Sequence, residues 1–124
     1  MNPRTLIEAL SVAERLKDAT RHCYTRNGRH ESVAEHSWMV TLMAFLIKDE
    51  FPEADMNKVM KMCIIHDLGE AFTGDIPTFE KNDVHEQTEK ELLSAWLDTL
   101  PEHQTYMVVN TQHYAFPFLA LYIV

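Results

Sequence analysis

Residues 59–75 read VMKMCIIHDLGEAFTGD. An apolar run with helical spacing ends on an adjacent histidine and aspartate, His66 and Asp67, and Glu70 and Asp75 follow directly after. Burying such groups without partners costs several kcal/mol each, so something must compensate them. The spacing predicts a helix that starts near Asp55 to Asn57 and reaches Glu70 or Ala71. Its inward stripe is Val59, Met62, Cys63, His66 and Glu70, with Asp67 at the edge.

The helix before it is announced by Ser32-Val33-Ala34-Glu35, the spacing of a capping box, in which serine and glutamate satisfy each other's free backbone N–H groups. It is predicted to run to about Asp49 and to stop before Phe51-Pro52, because a residue preceding proline disfavours helical dihedrals. His36 shares its inward face with Val33, Val40, Met43 and Ile47. Two further amphipathic helices are expected. The first carries Leu6, Ala9, Leu10, Ala13 and Leu16 as a core stripe; the other spans about Asp83 to Leu100, with Leu92, Leu93, Trp96, Leu97 and Leu100 inward and Pro101 ending it. Arg21 to Glu31 loses periodicity, contains Asn27-Gly28 and reads as a loop. Almost no strand alternation appears, so the fold class is all-α through residue 100.

Composition fits one soluble domain of 124 residues, 46% hydrophobic and 24% charged. A net charge of −8 argues against a nucleic-acid polymer or an anionic membrane surface as partner. Two cysteines, Cys23 and Cys63, and an N-terminus interrupted by Arg4 and Glu8 fit a reduced, cytoplasmic protein without a disulfide framework. Residues 103–124 hold no Asp, Glu, Lys or Arg; they are too interrupted for a membrane span and permit a strand such as Tyr106 to Val109. The expected organisation is a helical core over 1–102 and an uncharged tail over 103–124.

The two inward histidines stand on neighbouring helices. Either alone would read as a satisfied core residue. Together with Asp67 they form a good ligand set for a divalent cation, which would neutralise the buried aspartate and leave positions for water.

Arg21, then RNGRHESVAEHS (26–37), then HDLGEAFTGDIPT (66–78) resembles the HD-domain metal-dependent phosphohydrolases, in their 5′-deoxynucleotidase branch. The resemblance covers roughly residues 6 to 100 and implies an HD-domain helical bundle that removes phosphate from (deoxy)nucleoside 5′-monophosphates. It implies that His36, His66 and Asp67 hold a divalent metal, cobalt or manganese, with zinc, iron and magnesium as alternatives. It gives Glu70 and Asp75 the attacking water, in keeping with carboxylates that accept a proton or hold water in line. Gly74 would let the chain turn tightly and bring Asp75 back towards the helix end. Arg21 matches the family's phosphate-contacting arginine; Arg26 and Arg29, in the same segment, stand equally as phosphate contacts or as surface charges.

Relatives of this kind are usually homodimers. The family's fourth ligand is a later aspartate, whereas no Asp or Glu follows Glu102 here. The expected site therefore has three protein ligands, partial metal occupancy and low or absent activity. The alternative is a non-catalytic or impaired HD-domain protein that binds metal or nucleotide.

Overall fold

Asn2 opens the first helix, α1 (Pro3–Ala13): its side chain accepts from the Thr5 N–H at 2.9 Å, and Pro3 occupies a position where its missing donor costs nothing. The computed structural model describes residues 1–77 and 80–101. A single 3₁₀ turn, Glu14–Lys17, buries Leu16 and leads into an antiparallel hairpin of β1 (Thr20–Tyr24) and β2 (His30–Ser32). This corrects the loop expected over Arg21 to Glu31. The strands are short, polar and mostly exposed, so little hydrophobic alternation marks them; the pairing is carried by backbone donors and acceptors.

Two features shape the hairpin. Thr20 pairs with Ser32 and Tyr24 with His30, so β1 is longer than β2 between the pairs and bulges opposite Glu31. Its turn closes through Thr25 N–H to Arg29 C=O at 2.8 Å and needs Gly28 at φ 81°, a left-handed conformation that glycine adopts without penalty.

The ladder runs straight into α2 (Val33–Leu46): Val33 N–H donates to Ala19 C=O at 2.8 Å. The anticipated capping box is present, with Ser32 N–H to Glu35 Oε2 at 2.8 Å and Glu35 N–H to Ser32 Oγ at 3.2 Å. A 3₁₀ turn at Lys48–Glu50 follows, and α2 packs along α3 (Met56–Ile65), which Asp55 caps.

Here the structure departs from the single helix expected to reach Glu70 or Ala71. α3 stops at Ile65, His66 is its C-cap, and the backbone tightens into i to i+3 hydrogen bonds, Leu68 to Ile65 and Glu70 to Asp67. One turn of helix, α4 (Glu70–Thr73), then ends at Gly74, and α5 (Asp83–Leu97), capped by Asn82, closes the described chain three residues short of the expected Leu100.

Among the described residues the core has two parts. Leu16, Val33, Leu68, Ala71, Leu93 and Leu97 join the 3₁₀ turn, α2, α4 and α5; Val40, Ala44 and Cys63 weld α2 to α3. The stripe of α1 is not core as expected, since Leu6 is 48% and Leu10 58% exposed and only its last residues touch the first cluster. Met43 and Leu92, expected inward, are exposed as well. No helix among the described residues is long and apolar enough to cross a membrane. The strand expected at Tyr106 to Val109 and the rest of the tail lie outside the described residues.

Candidate metal centre

The capping box fixes the start of α2, and one turn later that register aims the buried His36 inward, 8% exposed. α3 ends where its last turn delivers His66, and the tight turn that follows presents Asp67 beside it. One donor atom from each of His36, His66 and Asp67 lies within 4.8 Å of the others. The nearest approaches are His66 Nε2 to Asp67 Oδ2 at 2.9 Å and His36 Nε2 to the same oxygen at 3.7 Å.

The donor chemistry fits a cation. His66 Nδ1 lies 2.8 Å from the Cys63 carbonyl, which can only accept, so Nδ1 carries a proton. A neutral His66 then turns the lone pair of Nε2 towards a carboxylate oxygen, and only a proton or a metal ion between them removes that repulsion. Without metal the proton takes the place. Burial pulls the His66 pKa down, but the hydrogen bond and charge of Asp67 outweigh it and leave it raised. Burial likewise works against the charge of Asp67, and the two histidines and Arg21 overcome it to hold the carboxyl below its usual range. His36 goes the other way, down to about 4, because burial and the nearby Arg21 disfavour an imidazolium more than Asp67 favours it. Two neutral-capable imidazoles and an ionised carboxylate are suited to a divalent ion.

Arg21 enters from the bulged strand, with Nη1 3.7 Å from Asp67 Oδ2 and Nε 3.6 Å from Glu31 Oε2. Glu31 Oε2 is also 4.0 Å from His36 Nδ1, so this carboxylate faces both the arginine and the second ring nitrogen of a candidate metal ligand. The sequence reading passed over Glu31 because it assigned the segment to a loop; the signal available was its place immediately before the capping serine.

Glu70 is 8% exposed, and Oε2 has no hydrogen-bond partner among the described residues. Burial, then the charges of Asp67, Asp75 and Glu89, push its pKa up to about 8 against a partial offset from Lys81. Gly74, at φ 75°, makes the turn anticipated for it and leads directly into Asp75, whose side chain is 11% exposed with Oδ2 4.0 Å from His22 Nδ1. Arg26 is exposed in the hairpin turn. Arg29 forms a two-pronged pair with Glu35, one contact at 2.9 Å, and donates to the His30 carbonyl at 3.1 Å, bracing the capping box. Lys81 and Glu89, which the sequence reading did not single out, pair at 2.8 Å beside the same turn.

A family model described as HD domain matches residues 13–115. A 5′-deoxynucleotidase of Erwinia tasmaniensis is 34% identical over 113 residues, 73% of this chain and 57% of that one. The 5′-deoxynucleotidase HDDC2 of Homo sapiens is 29% identical over 104 residues, 80% of this chain and 50% of the relative. The chain thus spans about half the length of the curated relatives it matches. Among solved structures, a predicted metal-dependent phosphohydrolase from Magnetospirillum magnetotacticum superposes with a TM-score of 0.78 at 26% identity, covering 89% of this chain and 57% of that one. With the histidine of α2 meeting the His-Asp pair that ends α3, and a family model spanning most of its length, the chain belongs to the HD-domain family.

Proposed function

We propose that the chain is a metal-dependent phosphohydrolase that removes phosphate from deoxyribonucleoside 5′-monophosphates. The observation that carries this reading is the convergence of the His36, His66 and Asp67 donors within 4.8 Å, with the Arg21 guanidinium 3.7 Å from Asp67. The names of the Erwinia and human relatives support the substrate class.

A divalent cation held by His36, His66 and Asp67, with cobalt or manganese favoured, would supply Lewis acidity, offsetting phosphoryl charge and making a nearby water more acidic. Glu70, a buried carboxyl one turn beyond His66, accepts a proton from the attacking water. Asp75 orients that water with its enclosed carboxylate, brought close by the turn at Gly74. Arg21 holds the phosphate oxygens with a planar fork that stays charged at all working pH values. Arg26, exposed in the hairpin turn, is a further candidate for the nucleotide's charge, and Arg29 serves the fold through Glu35.

As for assembly, a second copy of the chain is the partner this reading expects. It is supported by the exposed apolar residues Leu6, Ile7 and Leu10 on α1 and Trp38, Met39 and Leu46 on α2. The free thiols of Cys23 and Cys63 suit the reducing cytoplasm.

Phosphate release from deoxynucleoside 5′-monophosphates, 3′-monophosphates and diesters, with cobalt or manganese added, tests the proposal. Release confined to the 5′-monophosphates is expected. Stoichiometric metal without phosphate release from any of them would favour a second reading, metal or nucleotide binding without turnover. That reading draws on the three donors that cluster among the described residues, His36, His66 and Asp67.

A further inference from the structure

The carboxylates of Asp67, Asp75 and Glu89 all bear on Glu70 around the turn between α3 and α5. A phosphate dianion entering that neighbourhood is favoured by fixed cations beyond the metal, and Arg21 is already paired with Asp67 and Glu31. Lys81 stands in the segment between Asp75 and α5. Its Nζ is 2.8 Å from Glu89 Oε2, and the two side chains are 29% and 18% exposed.

Glu89 rests on Gly69. A Cβ at that position would lie 2.7 Å from Glu89 Cγ and 2.8 Å from Oε1, so only glycine lets the pair sit this close. Gly69 is bonded to Glu70 and is two residues from Asp67. The ammonium is therefore anchored against the turn that builds the metal centre, within electrostatic reach of both Glu70 and Asp67. An ammonium has three N–H donors, and the bond to Glu89 uses one. Its flexible stem allows the others to follow a ligand, which a rigid guanidinium fork does less readily.

We propose that Lys81 is a second phosphate-contacting cation of this site, held in position by Glu89 on the seat that Gly69 leaves open. The inference rests on the phosphohydrolase reading above. Lys81 touches the phosphate; Glu89 is a positioning residue that does not. A plain bridge and a poised cation differ in one respect: removing either partner breaks a bridge equally, whereas only Lys81 carries the charge that meets the anion.

Calorimetric titration of inorganic phosphate into the manganese-saturated chain separates the two. Lys81→Met is expected to weaken phosphate binding about 10- to 100-fold, the range of a lost charge-assisted contact. Lys81→Arg should stay within about threefold, since it keeps the charge, and Glu89→Gln, whose amide oxygen still accepts from the ammonium and so still positions it, should leave binding unchanged or tighter. Melting temperature and manganese content check that each variant is folded; should Lys81→Met fail to fold, Lys81→Gln carries the same expectation. Equal weakening by Lys81→Met and Glu89→Gln would overturn the proposal and reduce the pair to a brace. So would an unchanged Lys81→Met while Arg21→Ala weakens binding. If the parent binds no phosphate, or Arg21→Ala is also without effect, the phosphohydrolase reading itself falls and takes this inference with it.

Discussion

Glu70 offers the sharpest test of the electrostatics, because its burial has a sign that can be measured without any turnover. In the metal-free fold its pKa rises from 4.5 to about 8, through burial first and then the charges of Asp67, Asp75 and Glu89. A group whose folded pKa lies above its unfolded one stabilises the fold fully below the unfolded value, and that contribution disappears as pH climbs through the folded value. The parent chain in chelator should therefore lose stability between about pH 4.5 and 8. At about 1.4 kcal/mol per pKa unit the shift sets a ceiling near 5 kcal/mol; relaxation and water entry reduce the expected effect to about 1–3 kcal/mol. Glu70→Gln cannot ionise, and its amide can donate to the carboxylates that repel Glu70. It should melt with the parent at pH 4.5 and roughly 3–10 °C above it at pH 8.5 in EDTA. Saturating manganese should shrink the gap, since a cation beside Glu70 favours its charged form. Thermal melts across pH, followed by circular dichroism, decide the matter. A Glu70→Gln variant that melts with or below the parent at pH 8.5 in EDTA would refute the burial argument.

Asp67→Ala should abolish stoichiometric metal binding while the helices stay folded, because Asp67 is the one carboxylate among the three clustered donors of the described residues; elemental analysis of both proteins checks it. Gly69 has ordinary helical dihedrals, φ −59° and ψ −30°, so alanine there would ordinarily gain about 0.5–1 kcal/mol. Contact with Glu89 at 2.7 Å should reverse the sign, and Gly69→Ala is expected to lower the melting temperature in the parent yet raise it in a Glu89→Ala background. Ser32→Ala removes the acceptor for the Glu35 N–H and should cost about 1 kcal/mol in chemical denaturation, with metal content retained because His36 keeps its place on α2.

The sequence by itself determined the helices and three of the groups they carry to the centre. Ser32 and Glu35 announce α2 by a local exchange of hydrogen bonds, and apolar spacing sets the faces on which His36 and His66 ride. Those are short-range properties, legible at a separation of three or four residues. The tertiary structure decided the rest. The hairpin of β1 and β2 exists through backbone pairing that leaves little mark on side-chain pattern, and its first strand brings Arg21 to within 3.7 Å of Asp67. The break after Ile65 could not be read from periodicity, since the apolar spacing continues through Leu68 and Ala71; those two residues instead bury against Leu93 and Leu97 of α5. Arg29 and Lys81 both lie outside the helices, and their partners come from elsewhere in the chain: Glu35 in α2 for the first, Glu89 in α5 for the second. Charge on a side chain is fixed by its chemistry, but what that charge faces is set by elements that meet only when the chain folds.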